Sequence, residues 1–484
     1  MSRDFAGAVS RHPERPAIAY DGRTLTYTEL HAWVRATARR LGPRPGAVGV
    51  LTSRSPATVA ALLGTLAAGG TYVPVDPAYP EPRRRALLAA SGCATVITTD
   101  PAAPAEAAPA AGPDVVRVAG DEPAYILFTS GSTGAPKPVV VPRRAITTAT
   151  RALRELFGLT PGDRVLQFAS LSWDTCLEEI LPTLTAGATL VFHEHAHSGS
   201  FHRMLRMIAA ERITVLDLPS AFWHELVRHL VDERATLPPC VRLVVIGGEA
   251  VSPARLADWR ALATGGIRLL NTYGCTETTL ITHAVDLHGP AAAAGAAGER
   301  VPIGRPLPHV RQRLGEDGEL LVGGPSLALG YRGLPEATAE RFVELGPERY
   351  FRTGDRVALA ADGTLVHQGR LDHELKIRGI RVDPGEVEAR ISGHPRVGAV
   401  AVAGVTVADH TTLAAYIVPA PPAGGDATPA SDAALASDVR DYLSGLVPRH
   451  LVPSRITVVP ELVYTASGKV DRAGSHRRYA STTV

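Results

Sequence analysis

The chain has 484 residues, 45% of them hydrophobic and 20% charged, which is enough for two or three domains with their own cores. Fifty basic residues against 48 acidic ones leave a formal net charge of +2, so bulk electrostatics point to neither nucleic acid nor a membrane surface. Cys93, Cys176, Cys240 and Cys275 make no CxxC pair and no disulfide framework, a pattern expected of a reducing, cytoplasmic setting. The N-terminus, MSRDFAGAVSRHPERP, lacks the apolar core of a signal peptide, and the longest apolar run, 59–70, is too short to span a bilayer.

Residues 17–30 read as two short strands around Asp21-Gly22-Arg23, with a helix from Thr28. A helix over 55–68 starts at Ser55-Pro56, and Tyr72 to Pro77 is a strand with a stiff exit. Residues 101–114, PAAPAEAAPAAGPD, form a Pro/Ala connector. From 124 to 285 strands (124–128, 163–169, 188–192, 213–218, 241–246, 267–272) alternate with helices (143–157, 175–186, 201–211, 221–231, 252–263). That alternation predicts an α/β fold with a doubly wound, mostly parallel sheet. After about 300 short strands and turns predict a small β subdomain. From 372 strands near 374–381, 397–403, 412–418 and 455–459 mix with helices near 385–392 and 435–446, which predicts a compact α+β domain. A second low-complexity stretch, 420–434, reads as a loop within it.

Four polar stretches each follow a predicted strand: TSGSTG (129–134), SLSWD (170–174), GGEA (247–250) and NTYGCTE (271–277). In parallel α/β sheets ligands bind beyond the carboxyl ends of the strands, so the four are expected to converge at one edge. FTSGSTGAPKP (128–138) has the make-up of an anion-binding turn, with glycines for close approach and hydroxyls as extra donors. It fails the Walker spacing, because Ala135-Pro136-Lys137-Pro138 follows Gly134, and the two prolines forbid the helix a Walker loop requires. Its alternative is a flexible Gly/Ser surface loop.

The motif order resembles the adenylate-forming enzymes, and most closely the amino-acid adenylation domains of nonribosomal peptide synthetases. LTYTEL (25–30), LAAGGTYVPVDPAYPEPRR (66–84), FTSGSTGAPKP, NTYGCTE, YFRTGDRV (350–357), GRLDHELKIRGIRVDPGEVE (369–388) and ASGKVDR (466–472) follow in that family's order and cover the chain nearly end to end. The resemblance implies a large N-terminal domain over 1–371, with the β subdomain at about 300–371. It also implies a small mobile C-terminal domain over 372–484, with the hinge at Asp372. The implied chemistry has two steps. A carboxylate attacks the α-phosphorus of ATP to give an acyl adenylate and pyrophosphate, and then a thiol, usually a carrier protein's phosphopantetheine, takes the acyl group.

By the same resemblance Thr129, Ser130, Gly131, Ser132, Thr133, Gly134 and Lys137 hold the β- and γ-phosphates. Thr276 reaches the α-phosphate and Glu277 helps bind Mg2+ through a hard oxygen. Asn271, Thr272, Tyr273 and Gly274 hold adenine with the Gly248-Glu249-Ala250 backbone. Asp355 takes the ribose hydroxyls, assisted by Arg370 and His367, and Lys469 is the adenylation catalyst. Read singly, Glu277 is equally a surface acid, Asp355 a turn residue and Lys469 a tail lysine. Three positions depart from the family pattern: Pro138 and Cys275 stand where glycine and proline are usual, and His367 where an aromatic often packs on the ribose.

Asp174 falls where amino-acid-activating members hold the α-amino group; its alternative is a helix N-cap. The other lining positions implied are Thr175, Glu178, Ala221, Val245, Gly247, Thr272, Leu280 and Ile281. Asp174 and Glu178 are i,i+4 on a predicted helix, so two like charges share a face and are costly to bury unpaired. A substrate with two cationic groups relieves both, which suggests a basic amino acid: lysine, ornithine, β-lysine or a cyclic guanidino acid. The alternative is a capping box of Thr175 with Glu178, which turns Glu178 away from the pocket. Only 15 residues follow Lys469 and Ser475 reads as a frayed tail, so the expected partner is a separate peptidyl carrier protein; a small activator protein is left open. HEHAH (193–197) has the composition of a metal tract without a place in the motif set. Two rival readings stay open: an acyl- or aryl-CoA ligase, and a non-catalytic binding protein of this fold.

Overall fold

The computed structural model describes residues 2–99, 116–131, 135–262, 264–292, 300–372, 374–377, 379–407, 410–421, 431–465 and 470–480. The chain divides into two compact units. One comprises Met1–Pro77, Leu88–Leu127 and Pro138–Leu371; the other comprises Ala78–Leu87, Phe128–Lys137 and Asp372–Val484. The division therefore falls at 371/372 in the chain, but it also groups the FTSGSTGAPK loop and residues 78–87 with the C-terminal part.

The first unit is built on two large sheets. The nine-stranded sheet runs in the order Arg305–Pro306, Ile281–His288, Arg268–Gly274, Leu243–Gly247, Val215–Pro219, Arg164–Leu166, Thr189–Phe192, Pro16–Tyr20 and Arg23–Thr26. From Arg268–Gly274 through Pro16–Tyr20 every neighbour is parallel, and the sheet ends in antiparallel strands on both sides. The six-stranded sheet runs Gly330–Tyr331, Lys137–Pro142, Pro123–Thr129, Thr71–Val75, Ala47–Leu51, Thr95–Thr98.

Alternate residues of the nine-stranded sheet enter different cores, as the period of two requires. Val215, Leu243, Val245 and Leu270 join a core shared with Val48, Val50, Tyr125 and Leu127 of the other sheet. Leu216, Val244, Ile246 and Leu269 face the opposite way, against Trp223 and Trp259. Burial on both faces accounts for strands that read as nearly continuous apolar runs. The apolar run at 59–70 supplies the Pro56–Ala67 helix, whose buried residues Leu62, Leu63 and Leu66 lie in the shared core.

Two expectations change here. Tyr125 pairs with Tyr72, so the strand before TSGSTG belongs to the six-stranded sheet. Only the stretches after Arg164–Leu166, Leu243–Gly247 and within Arg268–Gly274 share one sheet edge. Alternation of strand and helix does not encode which sheet a strand joins, because that is decided by pairing distant in sequence.

The β subdomain is a five-stranded sheet in which Glu319–Gly323 and Leu365–Arg370 flank the long strand Glu348–Leu359. In the second unit Val397–Val407, His410–Pro419 and Arg455–Val458 form a sheet. The helices Pro384–Ile391 and Asp432–Ser444 pack in its core. The strand expected near 374–381 is a tight hairpin, with Leu375–Ile377 paired to Ile380–Val382 and Gly379 at φ +80° supplying the left-handed turn. Ser475 is not a frayed tail. It is fully buried in the Arg472–Tyr479 helix, where its Oγ accepts from the Val463 N–H at 3.0 Å. Asp471 caps that helix through the Gly474 N–H. The 101–114 connector and most of 420–434 lie outside the described residues.

Candidate active site

The parallel strands of the nine-stranded sheet deliver their carboxyl ends to one edge, and there the Leu243–Gly247 and Arg268–Gly274 strands lie against each other. A Cβ on Gly247 would stand 2.5 Å from Thr272 Oγ1, and that hydroxyl donates to the Ile246 carbonyl at 2.9 Å. The turn after Gly247 carries Gly248 at φ +86° and is fixed by Ser220, whose Oγ donates to the Gly247 and Glu249 carbonyls at 3.0 and 3.1 Å. Ala250 is exposed and Val245 buried. Beyond Gly274 the chain makes a short 3-10 turn, Thr276–Thr278, and then doubles back. Thr279 and Leu280 both adopt left-handed backbone conformations, φ +61° and +65°. A Cβ on Gly274 would come within 2.0 Å of the Leu280 carbonyl oxygen. Strain of this kind persists only where the surroundings over-determine it, and it concentrates at functional sites. Here it brings buried Leu280 and Ile281 back beside Gly274.

Glu277 is buried, not a surface acid; its Oε1 accepts from the Tyr331 hydroxyl at 2.9 Å, and Thr276 is half-buried beside it. Asp355 is fully buried rather than an open turn. Its carboxylate accepts from Tyr273 Oη at 2.6 Å, His367 Nε2 at 3.0 Å and Arg370 Nη1 at 3.0 Å. The ring at 367 therefore serves as a hydrogen-bonding support for Asp355. Asn271 Nδ2 donates to the Pro302 carbonyl at 2.7 Å. Tyr273, Asp355, His367 and Arg370 thus form one cluster joining the nine-stranded sheet to the β subdomain.

The sequence suggested two acids on one helix face; the structure shows four close together. Asp174 occupies the N-cap position of the Thr175–Ala186 helix, but its side chain makes no capping hydrogen bond and its backbone is helical. Thr175 and Glu178 form no capping box. Thr175 is half-buried and Glu178 is buried within the fold. Its charge neighbours, in order of effect, are Asp217, Asp174 and Glu179, which together with burial push its carboxyl well above the ordinary value. Asp217 was not singled out by the sequence reading. It lies in the Val215–Pro219 strand, one residue in from Leu218, and is itself buried. Its Oδ2 has no hydrogen-bond partner, and burial pushes the carboxyl up to about 7. The available signal was an acid in the otherwise apolar VLDLP. Ala221, the position the sequence pointed to, sits one turn farther on, buried in the Ser220–Asp232 helix. Glu179 differs from Asp217 in having both its oxygens occupied. Its oxygens accept from the Phe168 and Ala169 N–H groups, both at 2.9 Å, and from Gln167 Nε2 at 3.0 Å.

In the second unit Thr129 and Ser130 are buried, and Ser130 Oγ donates to the Arg381 carbonyl at 3.1 Å. A Cβ on Gly131 would lie 2.2 Å from the Ala135 carbonyl oxygen, so only glycine fits that turn. Lys137 begins the next strand. Asp372 Oδ1 accepts from the Glu374 N–H at 3.2 Å. Ser132, Thr133, Gly134 and Lys469 lie outside the described residues. HEHAH forms a short 3-10 turn, and no group of three His, Cys, Asp or Glu among the described residues could hold a metal ion. No helix among the described residues is long and apolar enough to cross a membrane.

A family model described as "AMP-binding enzyme" matches residues 5–332, and one described as "AMP-binding enzyme C-terminal domain" matches 386–469. The isonitrile lipopeptide synthase of Streptomyces coeruleorubidus is 40% identical over 97% of this chain and 33% of its own length. The phosphinothricin tripeptide synthetase PhsC of Streptomyces viridochromogenes is 36% identical over 96% of this chain and 44% of its own. The chain therefore spans less than half the length of these relatives. Among solved structures, an artificially fused adenylation–PCP di-domain, NpsA-ThdA from Klebsiella oxytoca, superposes with a TM-score of 0.81 at 26% identity, covering 94% of this chain and 93% of that one. Holo-PA1221, containing adenylation and PCP domains, does so with a TM-score of 0.81 at 26% identity over 98% and 84%.

The acid cluster has a stability signature. With a folded-state value near 7 against an ordinary 3.8, Asp217 is protonated in the fold while already ionised in the unfolded chain. It therefore costs stability progressively as pH rises from about 4 to 7. Asp217→Asn removes that cost. Its melting temperature without ligand at pH 8 should exceed the parent's by on the order of 2 °C, with little difference at pH 4.5. Thermal unfolding followed by fluorescence at the two pH values checks this; a lower melting temperature at pH 8 contradicts it.

Proposed function

The chain belongs to the AMP-binding enzymes, and on that premise we propose that it activates a basic amino acid as the aminoacyl adenylate and passes it to the phosphopantetheine thiol of a carrier protein. The enzyme is an AMP-forming adenylating ligase of the kind found in nonribosomal peptide synthetases. The finer reading rests on one observation: beside Asp174, Glu178 and Asp217 are buried together with no cation acting on Glu178 among the described residues, and Asp217 Oδ2 has no hydrogen-bond partner. Buried charge is normally paired or given up. An amino acid whose α-ammonium meets Asp174 and whose side-chain cation meets Glu178 and Asp217 supplies the missing counter-charge. Lysine, ornithine, β-lysine and cyclic guanidino acids meet that requirement; a neutral side chain does not.

In the first step a substrate carboxylate oxygen bonds to the α-phosphorus of ATP while the bond to the bridging oxygen breaks and pyrophosphate departs. Two anions meet, so the protein must concentrate positive charge and oriented donors. The Thr129–Gly134 turn and Lys137 would hold the departing phosphates, Asp355 the ribose hydroxyls, and Lys469 the substrate carboxylate against the α-phosphate. Mg2+, when bound, would neutralise phosphate charge. Glu277, a buried hard oxygen donor, is the residue that would hold it, which suits a cation ligated mainly by phosphate and water. In the second step the carrier thiol bonds to the acyl carbon and AMP leaves. The synthetase relatives and the adenylation–PCP composition of two structural neighbours support a carrier protein as acceptor. Asp372 is proposed as the hinge about which the C-terminal residues change position between the steps.

Three outcomes are expected. In ATP–pyrophosphate exchange across an amino-acid panel, diamino acids should lead. Glu178→Gln should lower kcat/KM for the preferred one by about 100-fold; if that variant keeps the parent's ranking and efficiency, the basic-substrate reading is wrong. Lys469→Ala should lower exchange with the preferred substrate by on the order of 100-fold or more, and near-parental exchange would remove the residue from the first step. Asp355→Asn weakens the acceptor for three donors and should raise the KM for ATP by about 10-fold or more, with the amino-acid KM within about twofold.

A further inference from the structure

Glu179 is almost completely buried, yet the chemistry proposed above does not use it. It sits next to Glu178 on the Thr175–Ala186 helix but points to the other side, into the exit of the Arg164–Leu166 strand. Its three hydrogen bonds all go to that exit. Oε1 takes the Phe168 and Ala169 backbone N–H groups, and Oε2 takes Gln167 Nε2. Gln167 is equally buried. Its Nε2 also donates to the Ala169 carbonyl at 2.6 Å, and its Oε1 accepts from Arg54 Nη1 at 3.0 Å. The same Arg54 nitrogen lies 3.2 and 3.3 Å from the Phe168 and Ala169 carbonyls.

The chain has a fixed polarity. Arg54 can only donate, so it dictates that Gln167 presents its oxygen outward and its amide nitrogen inward. An inward-facing nitrogen requires an acceptor, and carboxylate Glu179 is acceptor-only. Burial and Asp217 push the Glu179 carboxyl up to about 8, against its three hydrogen bonds, which favour the carboxylate; protonating or amidating the oxygen that faces Gln167 Nε2 would set donor against donor. Segment 167–169 is therefore gripped on both edges, with its N–H groups held by Glu179 and its carbonyls by Gln167 and Arg54. Arg54 follows a strand of the six-stranded sheet, and Gln167 and Glu179 belong to the nine-stranded sheet and its helix. Only four residues separate Ala169 from Asp174, and Asp174 opens the helix that carries Glu179. The loop is closed at both ends by the same side chain.

We propose that Glu179, Gln167 and Arg54 are positioning residues that set the place of Asp174, and hence of the substrate's α-ammonium. This rests on the reading of Asp174 as the amino-group anchor. A shift of about 1 Å in a substrate anchor is enough to cost on the order of 100-fold in rate, whereas the nucleotide cluster around Asp355 is held by other elements.

The test is steady-state exchange with the full chain, measuring the KM for amino acid and for ATP separately. Glu179→Gln should raise the amino-acid KM by about 10- to 100-fold and leave the ATP KM within about twofold. The exchange Gln167→Glu with Glu179→Gln restores the donor–acceptor order from Arg54 to the Phe168 and Ala169 amides, at the expense of the Gln167 donor to the Ala169 carbonyl, and should recover part of the loss. A purely structural role predicts instead a lowered melting temperature with both KM values moving together, and no recovery in the double variant; either result overturns the proposal, as does an unchanged amino-acid KM. If Glu179→Gln does not fold, Arg54→Gln decides, because Arg54 is exposed: it should raise the amino-acid KM alone by about threefold or more, and an unchanged value refutes the clamp. Parental activity on no amino acid would instead sink the function proposed above.

Discussion

Asp174, Glu178 and Glu179 open one helix, and Asp217 lies in the Val215–Pro219 strand beside them. Burying carboxylates costs several kcal/mol each unless hydrogen bonds or opposite charge compensate. The fold divides the problem. Glu179 is satisfied internally by three N–H donors. Glu178 and Asp217 have no such donors among the described residues, and burial pushes all three carboxyls upward, that of Asp217 to about 7 and that of Glu179 to about 8 despite its hydrogen bonds. Glu179 thus holds the exit of the Arg164–Leu166 strand, while Asp217 Oδ2 has no hydrogen-bond partner; the proposed cationic substrate would supply the counter-charge. Native proteins retain such costly groups where binding or catalysis needs them.

The sheets make this arrangement possible. Alternate side chains of the nine-stranded sheet are committed to two cores, so the strands cannot shift register without exposing one core or the other. Side chains at their carboxyl ends are therefore carried on a rigid frame. Val215–Pro219 brings Asp217, Leu243–Gly247 brings the Gly247 turn, and Arg268–Gly274 brings Thr272 and Tyr273. The left-handed pair Thr279-Leu280 returns the backbone over Gly274, where no side chain could fit. The cluster around Asp355 uses a different device, in which three donors from a sheet and a subdomain converge on a single carboxylate.

Much of this was legible in the sequence. The alternation from 124 to 285 placed the helices to within a residue or two. Asp174 and Glu178 were visible as an i,i+4 pair. Other features depended on contacts far apart in the chain. The strand before TSGSTG reads like its successors, yet its pairing with Thr71–Val75 moves it to another sheet. Asp217 was hidden because strand periodicity treats a single acid as a break in an apolar run, and only the fold shows that Glu178 faces it. Ser475 reads as tail because GSHRRY has little apolar content; its burial comes from Asp471 capping the helix and from Val463 across the turn.

The account turns on whether the paired acids exchange a proton for a substrate cation. Calorimetric titration in the presence of a non-hydrolysable ATP analogue, at pH 7 and in two buffers of different ionisation enthalpy, measures that proton directly. The account predicts that binding of the preferred diamino acid releases protons to the buffer, and that Asp217→Asn reduces the release. A diamino acid that binds with no buffer dependence in its heat, or a neutral amino acid that binds more tightly, contradicts it.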